Sequence, residues 1–146
     1  MENIQVTSSA FKHNEEIPKK YSCNGKDINP ELRFANVPTG TESLVLIMDD
    51  PDAPGGTFIH WVVWNIDPSP GINENSVPGV QGANSFGKSS YGGPCPPSGT
   101  HRYFFRVYAL DTKLNKKEGS TKKEIEKAME GHVIGKGELM GTYSRK

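Results

Sequence analysis

The sequence predicts a mainly β protein, an antiparallel β-sandwich with one or two short helices. Three observations carry this. Short aromatic and β-branched runs recur along the chain. Turn formers separate them, with 16 Gly and 11 Pro among 146 residues. Only one segment, near the C-terminus, has helical periodicity. A wound α/β sheet needs helices between its strands, and none is legible there.

Asn24-Gly25, Asn29-Pro30 and Pro38-Thr39-Gly40 read as turns in the first third. Ser43-Leu44-Val45-Leu46-Ile47-Met48 is a continuous apolar run of strand length, the pattern of a strand buried on both faces. Phe58 to Ile66 is aromatic and β-branched, and Tyr103 to Leu110 repeats that character. Pro68-Ser69-Pro70-Gly71 and Pro78-Gly79 are turns between them. Thr121-Lys122-Lys123-Glu124 is a capping box, with Glu placed three residues after Thr. Ile125, Ala128 and Met129 follow at helical spacing, and Gly131 is the stop. Short Gly-punctuated strands, Val133-Ile134 and Glu138-Leu139-Met140, close the chain up to Thr142-Tyr143. No repeat or linker divides it, so residues 1–146 read as one domain.

Charge narrows the function. Lys+Arg and Asp+Glu both number 17, for zero net charge, which removes the basic footprint of a nucleic-acid binder. No run approaches the ~18 apolar residues of a membrane span. The first ten residues lack the basic and apolar regions of a leader, so a cytoplasmic setting is expected. There, Cys23 and Cys95 are expected as unpaired thiols, with Cys95 a small residue in a tight turn.

Gly82-Ala83-Asn84-Ser85-Phe86-Gly87-Lys88-Ser89 matches the phosphate-loop pattern G-x4-G-K-S. Its context rejects it. Such a loop needs a strand before it and a helix opening at Lys-Ser. Val77-Pro78-Gly79 precedes this one, and the Gly/Pro-rich Ser90 to Pro97 follows.

Three other segments group chemistry. Asp50-Pro51-Asp52-Ala53-Pro54 places two carboxylates two residues apart; if extended, both point one way. His60 lies with Trp61 and Trp64 inside an apolar strand. Tyr91-Gly92-Gly93-Pro94-Cys95-Pro96-Pro97-Ser98-Gly99-Thr100-His101-Arg102-Tyr103 is a rigid loop delivering His101 and Tyr103 to one face of a strand, and Arg102 to the other. Each alone is also an ordinary turn, a structural histidine or an edge strand.

Together, D-P-D-A-P, H-W-V-V-W-N and Y-G-G-P-C-P-P-S-G-T-H-R-Y resemble the phosphatidylethanolamine-binding proteins, including the Raf kinase inhibitor proteins. The likeness is to the short bacterial and archaeal members. It extends through Tyr21-Ser22-Cys23-Asn24-Gly25 and Glu138 to Arg145. It implies a Greek-key β-sandwich with a pocket for small anions such as phosphate, acetate or a phosphoethanolamine head group. Carried over, the lining is Asp50, Asp52, His60, Pro97, His101 and Tyr103, with Tyr91 and Gly93 at the rim. The short Gly55-Gly56-Thr57 connection departs from the larger members and implies a more open pocket. A regulatory binding module follows, with a kinase or protease as partner, a possible homodimer, no cofactor and no metal.

Two carboxylates beside an anion site need imidazoles to offset them. A carboxylate accepting from one ring nitrogen favours the charged ring, whose other N–H can donate to the ligand. Asp50 or Asp52 is therefore expected to orient His60 or His101. Two or three such bonds, less the cost of association, give roughly micromolar to millimolar affinity. Two alternatives remain at this level. One is a weak hydrolase of phosphate or acyl esters using the same groups, with Ser98 or Tyr103 taking part. The other is an interaction module working through another surface.

Overall fold

In a computed structural model, which describes residues 2–146, the chain is mainly β with one α-helix. The strands are β1 (Glu2–Asn3), β2 (Gln5–Thr7), β3 (Leu32–Ala35), β4 (Ser43–Asp50), β5 (Phe58–Ile66), β6 (Gly71–Ile72), β7 (Val80–Gln81), β8 (Thr100–Leu110) and β9 (Val133–Ser144); the helix is α1 (Lys122–Met129). A short 3-10 turn spans Lys19–Tyr21. Six strands form one sheet in the order β1-β9-β8-β4-β5-β7, and β2-β3-β6 form a small second sheet. The expected all-antiparallel sandwich is met only in part. β1 runs parallel to β9, which makes the large sheet mixed.

β4 is buried at every position, as its unbroken apolar run predicts. Leu44, Leu46 and Met48 face a core shared with Val6, Leu32, Phe34 and Ile72 of the small sheet. Val45 and Ile47 face the opposite way, into a cluster with Val62, Trp64 and the α1 residues Ile125 and Met129. The helix begins where the capping box places it. Thr121 Oγ1 accepts from Glu124 N, and Thr121 N donates to the Glu124 carboxylate at 2.9 Å.

β5 carries two bulges. Met48 pairs with Trp61 and Asp49 with Ile59, so His60 is the extra residue. Leu44 pairs with Ile66 and Leu46 with Val63, which places a second irregularity beside Asn65, at φ 55°. The side chain of Asn65 stabilises that turn by accepting from Leu114 N and donating to Leu114 O, each at 2.8 Å.

The C-terminal segment corrects the sequence reading. Val133 to Ser144 is one strand of 12 residues, not two short ones. Its glycines do not interrupt pairing; they admit close approach. A Cβ on Gly137 would lie 1.9 Å from the Ile4 carbonyl oxygen. Gly137→Ala should therefore lower stability by at least about 1–3 kcal/mol, read as a reduced urea midpoint at unchanged slope.

Candidate functional site

β5 and β8 both run antiparallel to β4. The C-terminal end of β4 therefore meets the N-terminal ends of both neighbours. That brings Asp50, His60, His101 and Tyr103 around one cavity of about 270 Å³. Pro97 lines it too, with Ala53, Pro54, Phe58, Phe86, Cys95 and Pro96.

Asp50 is 3% exposed, and both its oxygens are committed. Oδ2 lies 2.6 Å from His101 Nδ1, and Oδ1 accepts from Asp52 N at 2.8 Å. The carboxylate fixes the proton on Nδ1 of His101. Nε2 is the ring's remaining functional atom; it has no protein partner and is not sealed from solvent. His60 is held differently. Its Nδ1 donates to the Gly92 carbonyl at 2.7 Å, because a carbonyl can only accept. Burial pushes the His60 pKa down, against smaller opposing effects of the Gly92 bond and the Asp50 charge. The ring is thus neutral near pH 7, with Nε2 as an acceptor. Its edges pack against Tyr103 at 5.2 Å and Phe86 at 5.4 Å between ring centres. Tyr103 Oη is buried near Asp50 and the Cys95 backbone, without a hydrogen bond of regular geometry. Burial first, then the Asp50 charge, raise its pKa, so it keeps its proton.

Three residues expected at the pocket lie outside its lining. Asp52 is the first. The segment turns after Asp50 instead of staying extended, so the two carboxylates diverge. Asp52 takes Arg102 instead: Oδ2 accepts from Nε at 2.9 Å and from the backbone N at 2.9 Å, and Oδ1 accepts from Nη2 at 2.8 Å. Its pKa falls to about 2, chiefly through the Arg102 side-chain bond. Tyr91 turns away, donating to the Tyr21 carbonyl at 2.7 Å and packing edge-on against Trp61. Gly93 N donates to Asp27 Oδ1 at 2.7 Å. Both buttress the loop behind the cavity. Of Asp50 and Asp52, Asp50 alone orients a histidine of the cavity, and that histidine is His101.

The cysteines overturn the expectation of free thiols. Cys23 and Cys95 form a disulfide across 72 residues. It ties the segment after the 3-10 turn to the loop that lines the cavity. The phosphate-loop look-alike forms turns with no helix after Lys88-Ser89, as its context required. Among the described residues, no group of three His, Cys, Asp or Glu is arranged to hold a metal. No helix is long and apolar enough to cross a membrane.

The reading of the sequence missed Phe58 and Phe86. Phe58 was findable, two residues before His60 on a strand. Phe86 sits in a turn-rich loop that has no periodicity to reveal its direction.

The fold and site define a small, mainly β protein with a buried imidazole–carboxylate pair facing a cavity at one end of its large sheet. The chain belongs to the phosphatidylethanolamine-binding protein family, whose family model, described as Phosphatidylethanolamine-binding protein, matches residues 7–144. A UPF0098 protein of Pyrococcus horikoshii is 53% identical over 95% of this chain and 76% of its own length. The crystal structure of a phosphatidylethanolamine-binding protein homologue from Chlamydia trachomatis superposes with a TM-score of 0.95 at 46% identity, covering 100% of both chains. Escherichia coli YbcL, described as a member of the mammalian family, gives 0.90 at 31% identity over 98% of this chain and 99% of its own.

Two outcomes follow. Replacing both cysteines by serine should cost about 2–4 kcal/mol of unfolding free energy, measured by urea titration against the oxidised protein. The depressed Asp52 carboxyl contributes stability that is present above its unfolded pKa of about 4 and lost as pH falls toward 2. Because the pair is partly exposed, that contribution is at most on the order of 1 kcal/mol. In Asp52→Asn the fall in melting temperature between about pH 4 and 2 should be shallower than in the parent.

Proposed function

We propose that the cavity binds a small oxyanion, phosphoryl or carboxylate, with the His101 imidazolium as its cation. One observation carries this. The Asp50–His101 pair is buried at 2.6 Å, and His101 lines a cavity whose other polar groups are His60 and Tyr103. Asp50 is the positioning residue: by holding Nδ1 it fixes which ring nitrogen is left for the ligand. The unpartnered Tyr103 hydroxyl supports the reading, since a buried donor without an acceptor costs about 1–3 kcal/mol unless something accepts from it. Neutral His60 offers an acceptor, which suits an oxyanion that retains a proton. The family's description names a phospholipid whose head group is phosphoryl.

The protein is, in this reading, a regulatory binding module and not a hydrolase. No serine or threonine lines the cavity, Cys95 is tied in the disulfide, and the raised Tyr103 phenol is a poor nucleophile. A kinase or protease partner rests on the family resemblance alone. A cytoplasmic setting is compatible with the Cys23–Cys95 pair where the cytoplasm keeps disulfides, as in hyperthermophiles.

Phosphate titrated into the protein should shift the His101 ring signals in NMR spectra. Asp50→Asn should weaken binding by about tenfold. An affinity unchanged in Asp50→Asn, or His101 ring signals that do not move, would overturn the role of His101.

A further inference from the structure

The anion site leaves most of its own cavity unexplained. A volume of about 270 Å³ is several times what the five heavy atoms of a phosphate fill. It approaches the roughly 300 Å³ at which pockets take whole organic molecules. The polar groups are confined to Asp50, His60, His101 and Tyr103. The rest of the wall is Phe58, Phe86, Pro54, Pro96 and Pro97, with Ala53 and the disulfide.

Phe86 is the informative member. It is 43% exposed, one of two large hydrophobic residues so open among the described residues. Leaving a phenyl ring in water is unfavourable, yet the chain spends buried polar groups on holding it there. Asn84 is only 7% exposed. Its Oδ1 accepts from Phe86 N at 2.9 Å and Lys88 N at 3.0 Å, and its Nδ2 donates to Ser90 O at 2.8 Å. Ser85 straps the loop to β5 beside His60: its N donates to Ile59 O and its Oγ accepts from Ile59 N, both at 2.8 Å. The ring then packs edge-on against Phe58 at 4.8 Å and His60 at 5.4 Å between centres. A Cβ on Gly92 would lie 2.5 Å from it, so the ring lies against bare backbone. The segment that imitates a phosphate loop thus uses its polar atoms internally. Its product is one fixed aromatic wall beside the imidazoles.

We infer that the cavity selects an oxyanion carried on a flat apolar or aromatic group, of the aryl phosphomonoester class, and that Phe86 is the specificity residue. This rests on the oxyanion reading above. An ammonium-bearing ligand fits less well, because Asp50 is the one carboxylate lining the cavity and both its oxygens are engaged. A cation there would meet aromatic faces but no available counter-charge.

The test compares inorganic phosphate, phenyl phosphate and phosphoethanolamine, titrated into the full chain at one fixed pH. Phenyl phosphate should bind roughly two- to tenfold more tightly than inorganic phosphate, the range of one aromatic contact. Phosphoethanolamine should bind no more tightly than inorganic phosphate. Phe86→Ala should erase the phenyl advantage, so that phenyl and inorganic phosphate bind alike, while Phe86→Leu, which keeps apolar area and loses the ring, should retain part of it. If Phe86→Ala fails to fold, Phe86→Leu alone decides. Equal affinities for phenyl and inorganic phosphate would overturn the selection and leave the oxyanion site standing. So would a preference for phosphoethanolamine. Failure of all three to bind or to shift His101 would overturn both.

Discussion

β4 has no solvent-facing side and two antiparallel neighbours, and it ends on a carboxylate. That constraint organises the rest. A charge at the end of a fully buried strand must be paired or it becomes a large cost. The two strands that bury β4 are also the two that start at its end, so they supply what surrounds Asp50. β8 brings His101 into contact with it, and β5 brings His60 within electrostatic reach.

The same arrangement divides labour between two imidazoles of similar burial. His101 faces a carboxylate and His60 a carbonyl. A carboxylate stabilises the charged ring strongly, whereas a carbonyl bond only partly offsets desolvation. His60 is accordingly driven toward neutrality. One ring bonds a carboxylate and the other a carbonyl, so the cavity holds two imidazoles in unlike settings. Two equivalent carboxylate–histidine pairs would not give that. The outward turn of Asp52 to Arg102 keeps the second negative charge out of the site.

Period and punctuation made much of this legible. The uninterrupted apolar run located β4, alternation put His101 and Tyr103 on one face, and the Thr121–Glu124 box located the helix. The rest has separate causes. β5 is bulged at His60 and again beside Asn65, irregularities that a period-2 pattern does not encode. Glycine was read as a break in β9, where its missing side chain admits Ile4 and the start of the chain. Asp50 and Asp52 would share a face only in an extended segment, and the Asp50 side chain instead takes the backbone amide two residues on and closes a turn. The cysteine pairing depends on a contact between residues 72 apart, which no local pattern encodes.

The disulfide is not alone in shaping the loop behind the cavity. Cys23 N donates to Pro94 O, Gly93 N to Asp27, and Tyr91 to the Tyr21 carbonyl. These ties, like the disulfide, run from the 91–97 loop to the segment spanning residues 21–27. A loop held by several independent bonds does not need a covalent one to choose its conformation. Cross-linking acts mainly on the unfolded chain, where it removes the freedom of a long loop. The Cys23–Cys95 bond therefore raises the stability of the whole fold, while the geometry of the cavity wall is set by hydrogen bonds and prolines. That separation lets the His60 anchor, the Gly92 carbonyl, stay in register with the site because the backbone around it is over-determined.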